Sequence, residues 1–358
     1  MLHLLAYALL GTQSASASPI SARWTQEECS NSPLRSLAEA NQNRYFGTAF
    51  QTFYAADDRY TSILDTQFDQ FTPENEMKWE VIQPQRGVFN WTGSDLVIAK
   101  AKEVGGIVRG HNFCWDQQTP SYVTNITDPD ELKSVLKEHI DAVLGRYKDD
   151  LYAMDIINEP LNDNGTIKAS VWYDVLGEDY LATCLQYARD AAPDLKLYIN
   201  DYNIESVNNK SIALANIVKG FRANGVPIDG IGFESHFIGG SVPKDLQASM
   251  KQFTDQGLDV AITELDVRVP VNNAGIANST WLQIQADDYS TVVQACLDNG
   301  NCPGVTIWEF TDAISWIPGV FAGQGAACPY GLEYEVKPAL GAIASTLANG
   351  FSCGNGGR

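Results

Sequence analysis

The sequence predicts an α/β fold, a single (β/α)8 TIM barrel, on three observations. Eight short β-patterned segments alternate with stretches long enough for a helix, which implies parallel pairing. No internal repeat, low-complexity tract or linker breaks the alternation, so one barrel is expected over two domains in these 358 residues. Two apolar segments far apart in the chain, Asp155-Ile156-Ile157-Asn158-Glu159 and Ile262-Thr263-Glu264-Leu265-Asp266, run abruptly into a glutamate. A buried strand avoids unpaired charge because burying it is costly, and in this fold the strand ends converge on one catalytic face.

The elements follow in order. Residues 1–17 contain an apolar run, Leu4 to Leu10, and then Ala15-Ser16-Ala17. This is the pattern of a secretory signal peptide with its cleavage site, although its first residues lack Lys and Arg. Residues 18–43 read as a polar lead-in with a short helix from Pro33 to Ala40, and 44–358 as the catalytic barrel. Strands are expected at Tyr45–Ala49, Gln67–Thr72, Gly106–Phe113, Ala153–Asn158, Lys196–Asn200, Gly230–Ser235, Asp259–Thr263 and Gly304–Trp308. The helix before the fourth strand is the clearest. Asp128 caps it, Pro129 enters its first turn, Glu131 completes a capping-box-like arrangement, and Leu132, Val135, Leu136, Ile140, Val143, Leu144 and Tyr147 form one apolar stripe.

The chain carries 24 basic and 44 acidic residues, a formal charge of −20. Such a surface repels nucleic acid and anionic membranes and suits a neutral polymer or an uncharged small molecule. After the leader no apolar run is long enough to span a bilayer. Sequons at Asn90, Asn125, Asn164, Asn209 and Asn278 fit a secreted, extracellular glycoprotein. The cysteine count is odd, seven, so at least one is free or paired between chains. Cys296 and Cys302 flank an Asn-Gly-Asn turn and read as a local disulfide, whereas Cys114, within a strand pattern, reads as a buried thiol. None has zinc-site spacing, and no metal, cofactor or oligomeric partner is expected.

Further polar residues gather at the predicted strand ends. Glu74, Asn75 and Lys78 share one turn with Trp79, a mix suited to sugars, which offer hydroxyls and an apolar face. His111 ends the third strand, with Trp115 beyond it. Glu234 and His236 end the sixth strand on one face by the strand period of two. Trp308 and Trp316 bracket the last strand and its loop. A facing pair of carboxylates is the equipment of glycoside hydrolysis.

From about Arg44 to Leu347 the chain resembles glycoside hydrolase family 10, the xylanase family. The resemblance rests on Tyr45-Phe46-Gly47-Thr48-Ala49, Pro73 to Trp79, Arg109-Gly110-His111 with Trp115 and Gln118, Asn158-Glu159, Tyr198 to Asn203, Ser235-His236-Phe237, Ile262 to Asp266, and Trp308 with Ser315-Trp316. It implies a retaining mechanism with Glu159 as acid/base and Glu264 as nucleophile. Asn158 would touch the 2-hydroxyl of the reacting sugar, and His236, backed by Asp266, would orient Glu264. Glu74, Asn75, Lys78, His111 and Gln118 would hold the glycone sugars. Trp308 and Trp316 would line the cleaving subsite, and Tyr202 the leaving-group side.

Six departures from the usual pattern cluster around that subsite. Asp116 replaces His, Met154 Trp, Pro160 Ala, Glu234 Gln and Glu309 Gly, and Ala313-Ile314 stands for a Lys-Tyr-like pair. Three readings follow: an endo-1,4-β-xylanase, a tomatinase-like enzyme stripping the oligosaccharide from a plant steroidal saponin, and a catalytically dead carbohydrate-binding barrel. The apolar Ala313-Ile314 pair motivates the second. Intact Glu159, Glu264, His236 and Asp266 argue against the third.

Overall fold

Residues 32–349 are described by the computed structural model; the expected leader, Cys29 and Cys353 lie outside the described residues. The lead-in helix α1 (Leu34–Ala40) starts after Pro33. The barrel strands are β1 (Tyr45–Phe50), β2 (Gln70–Pro73), β3 (Ile107–Cys114), β4 (Leu151–Asn158), β5 (Lys196–Asp201), β6 (Gly230–Phe233), β8 (Asp259–Pro270) and β9 (Gly304–Ile307). Two short strands, β7 (His236–Ile238) and β10 (Gln324–Gly325), pair with the far end of β8 outside the ring.

Each barrel strand pairs in parallel with its neighbour, and β9 pairs with both β8 and β1, so the ring closes. Closure leaves no free barrel edge. The strands are almost wholly buried, as expected of a sheet covered by helices outside and packed side chains inside. Helix α2 (Asp58–Gln67) follows β1 and α3 (Thr92–Val104) follows β2. Next come α4 (Pro129–Tyr147), α5 (Asp179–Ala191), α6 (Asn209–Asn224), α7 (Leu246–Thr254), α8 (Ser279–Leu297) and α9 (Pro338–Asn349). The Asp128 side chain accepts from the Glu131 amide, as the capping pattern predicts, and the whole apolar stripe of α4 is buried. No helix among the described residues is long and apolar enough to cross a membrane.

Most strand boundaries shift from expectation by a residue or two, and the shifts at β2, β6 and β8 have identifiable causes. Strand β2 begins at Gln70 because Gln67 still belongs to α2. Strand β6 ends at Phe233 because Ser235 turns into the left-handed region, at φ +64°. Strand β8 runs on to Pro270 because β7 and β10 supply partners beyond Thr263.

The cysteines bring one correction. Cys296 and Cys302 are bonded, but Cys114 is not a thiol: it is joined to Cys184, 70 residues away on α5. Helix α5 packs on β4, the neighbour of β3, a proximity created only by tertiary wrapping. Cys328 is free and buried. The five sequon asparagines are all exposed.

Candidate active site

The strand ends open into a cleft of about 670 Å³. Every side chain nominated from sequence lines it except Asp266, which lies fully buried behind His236. A second cavity of about 610 Å³ adjoins it, sharing Asn203, His236 and Arg268 and extending past Asp163 and Asn208.

Glu264 sits within β8 and is 6% exposed. Its Oε1 accepts from Asn200 Nδ2 at 2.8 Å, and its Oε2 lies 3.3 Å from His236 Nε2. The other imidazole nitrogen, Nδ1, is 2.9 Å from Asp266 Oδ2. That contact is an ion pair with poor hydrogen-bond alignment. Trp316 Nε1 donates to the same Asp266 oxygen at 2.8 Å. Burial disfavours a charged imidazole, yet Asp266 and then Glu264 outweigh it and push His236 up to about 10. Burial likewise opposes ionisation of Glu264, but the hydrogen bond with His236 and the nearby imidazoles hold it below the usual carboxylate range. At neutral pH this carboxylate is therefore charged and fixed at both oxygens.

Glu159 follows the last residue of β4 and takes a positive φ of 50°. Its amide donates to the Asn200 carbonyl at 2.8 Å. Lys168 Nζ donates to its Oε2 at 3.0 Å and lies 3.7 Å from Asp116. Burial disfavours the Lys168 ammonium, but the Glu159 charge outweighs it and raises the lysine. Sequence reasoning missed Lys168, which stands in a loop without a periodic signal; Asp116, one of the departures, is its second partner.

Asn200 was also missed, although it stood inside a matched motif. Its Nδ2 group reaches Asn158 at 2.9 Å, Glu264 at 2.8 Å and Glu234 at 3.3 Å, while its Oδ1 accepts from Thr263 at 2.6 Å. One amide on β5 thus ties together β4, β8 and the turn that follows β6. Glu234 is 3% exposed. Burial, then the charges of Glu264 and Glu159, push it well above the usual carboxylate range.

On the other side, Lys78 Nζ donates to Asn75 Oδ1 at 3.1 Å and stands 5.2 Å from the Trp115 ring centre. Burial lowers its affinity for the proton, opposed by Glu264, Glu74 and Glu159. Glu74 accepts from Gln51 at 2.6 Å. His111 Nδ1 is 3.0 Å from Asp155, which is also paired with the fully buried Arg109. The Trp308 ring meets His111 edge-on. Beneath this rim lies Glu309, at φ +65° with its carboxyl group buried beside the side chains of Glu74 and Tyr60. Burial, then the Glu74 charge, push it well above the usual carboxylate range. Met154 stands against Gly110, where a side-chain carbon would meet its sulfur at 2.2 Å.

Chemically, the cleft offers a fixed ionised carboxylate, a second carboxyl under a lysine, donors at the strand ends and aromatic walls.

The sequence model of glycosyl hydrolase family 10 matches residues 33–346. Endo-1,4-beta-xylanase A of Phanerodontia chrysosporium is 44% identical over 323 residues, which is 89% of this chain and 78% of that one. The endo-1,4-beta-xylanase of Agaricus bisporus is 39% identical, covering 87% of this chain and 93% of that one. Among solved structures, xylanase 10B of Thermotoga petrophila in complex with xylobiose superposes with a TM-score of 0.86 at 35% identity. The match covers 89% of this chain and 98% of that one. Penicillium canescens endo-1,4-beta-xylanase XylE superposes with a TM-score of 0.85 at 39% identity, over 90% and 98% of the two chains.

Proposed function

We propose that this chain, which belongs to glycosyl hydrolase family 10, cleaves xylan as a retaining endo-1,4-β-xylanase. The observation that carries the mechanism is the chain Trp316–Asp266–His236–Glu264, which keeps one carboxylate ionised and aimed into the cleft. Glu264 attacks the anomeric carbon while Glu159 protonates the leaving oxygen. Esterification then removes the Glu264 charge, and Glu159 takes a proton from the incoming water. Asn200, donating to Asn158 and Glu264 together, holds the 2-hydroxyl contact and the nucleophile in one frame. Glu74, Asn75, Lys78, His111, Trp115 and Gln118 hold the glycone sugars. Trp308 and Trp316 wall the cleaving subsite, Glu234 borders it, and Tyr202 receives the leaving group.

The xylan reading is supported by the retained glycone set and by relatives named for xylan cleavage. The saponin reading gains nothing from them, and Ile314 packs against the core instead of standing open on the rim. We propose that the enzyme works outside the cell as a monomer. The leader pattern, exposed sequons and disulfides support secretion.

The test is a pair of variants assayed on an aryl xylobioside with a good leaving group. Glu264→Ala should abolish turnover. Glu159→Ala should still form the glycosyl-enzyme, because a good leaving group needs little protonation, and azide should rescue its second step. Equal loss in both variants, or an inverted first product by NMR, would overturn the assignment.

A further inference from the structure

His236 Nε2 points at two carboxylates at once. It lies 3.3 Å from Glu264 Oε2 and 3.9 Å from Glu234 Oε2, and among the described residues these three side chains are the trio whose ligand atoms all fall within 4.8 Å of one another. Glu234 stands where the family pattern has an amide, so the second carboxylate is a feature of this chain. Its Oε1 takes a long hydrogen bond from Asn200 at 3.3 Å, whereas Oε2 faces the imidazole from a side chain 4% exposed. On the far side of the ring, Nδ1 rests on the buried carboxylate of Asp266 at 2.9 Å. A carboxylate behind a histidine whose other nitrogen faces further ligands is the arrangement that orients metal-binding imidazoles.

We propose that Glu234, His236 and Glu264 form a reversible binding site for a borderline-soft divalent cation of the zinc type, which shuts the enzyme down by occupying its nucleophile. Metal–ligand bonds of about 2.0–2.2 Å in tetrahedral geometry put neighbouring ligand atoms roughly 3.3 Å apart. The His236–Glu264 spacing already meets that value, and Glu234 closes the rest by a small side-chain rotation. Binding displaces to solvent the proton that His236 Nε2 presents to Glu264 and the proton that burial favours on Glu234; the resulting neutral imidazole and two carboxylates suit zinc better than magnesium or calcium, which favour all-oxygen shells. The cleft leaves the remaining coordination position open to water. Lys78 lies near Glu264 and opposes the cation; the buried Asp266 charge offsets it. The inhibitory consequence rests on Glu264 being the nucleophile, but the binding itself does not.

The test is calorimetric titration of the full-length protein with zinc chloride, beside Glu234→Gln checked by thermal melting. The wild type should bind one ion saturably, and the variant should bind it about ten-fold or more weakly, on the scale of losses seen when a metal site is trimmed. In parallel, a 2-deoxy-2-fluoro xylobioside that traps the nucleophile should label the metal-free wild type, and zinc should slow the labelling. Labelling without zinc tests the catalytic reading separately. Absence of a saturable site at millimolar zinc, or equal titration of the two proteins, would overturn the proposal. So would labelling that zinc does not slow.

Discussion

Replacing Asp266 by Asn removes the charge behind His236 while keeping the shape of the side chain. Moving a histidine from 6.5 to about 10 corresponds to roughly 5 kcal/mol at 1.36 kcal/mol per pH unit. The charge of Asp266 is the leading favourable cause, ahead of Glu264, so the substitution should forfeit about half or more, on the order of 3 kcal/mol. The sign follows from the direction: a histidine raised in the folded state contributes its full stability below about 6.5 and loses it as pH rises through about 10. The stability gap between wild type and Asp266→Asn should therefore be largest in mildly acidic buffer and should shrink as pH approaches 10. In the variant, His236 loses its proton at lower pH, so Glu264 loses its charged neighbour and the alkaline limb of kcat/KM should move down. The assays are urea unfolding at a series of pH values and kcat/KM against pH on an aryl xylobioside. A stability gap independent of pH, together with an unmoved alkaline limb, would refute the charge-coupling argument.

Two further perturbations separate chemistry from scaffold. Lys168→Met removes the donor that fixes the orientation of the Glu159 carboxyl; as a positioning effect on the proton donor, kcat/KM on xylan should fall by about ten-fold, and far less on an aryl glycoside that needs little protonation. Equal losses on the two substrates would mean that Lys168 does not serve the acid. Arg109→Met leaves Asp155 charged in the barrel interior, a change worth about 3–5 kcal/mol. Calorimetry should show a fall in Tm on the order of 10 °C, partly recovered in Arg109→Met/Asp155→Leu, where no buried charge remains.

The ring of strands and the location of the paired glutamates were legible because both are local signals. An apolar run ending in an acid is visible within five residues, and the alternation fixes which ends share a face. Contacts between distant side chains were not legible. Cys184 gave no sign of its bond to Cys114, since the helix that carries it reaches β3 only by packing on the intervening strand. Lys168 lies in a loop, where periodicity says nothing of the chain's path. Asn200 was inside a matched motif, but its work is to bridge β4, β8 and the turn after β6, and no spacing along β5 encodes that. The boundary errors at Gln67 and Ser235 share a cause: a helix end and a left-handed turn compete with strand propensity at single residues.

The stacking of the barrel into a packed lower core and a polar mouth bears on how such a chain can change. Asp116, Pro160, Glu234, Glu309, Ala313 and Ile314 all lie at or beyond the mouth ends of the strands; of the departures, only Met154 is inside a strand, with Gly110 giving it room. Substitutions at the mouth leave the ladder of strand pairings untouched, so they can accumulate one at a time without passing through an unfolded ancestor. Glu309 shows that this tolerance reaches even a buried acid in the left-handed region. The closed ring thus acts as a reserve of stability against which residues at its rim can be exchanged without undoing the fold.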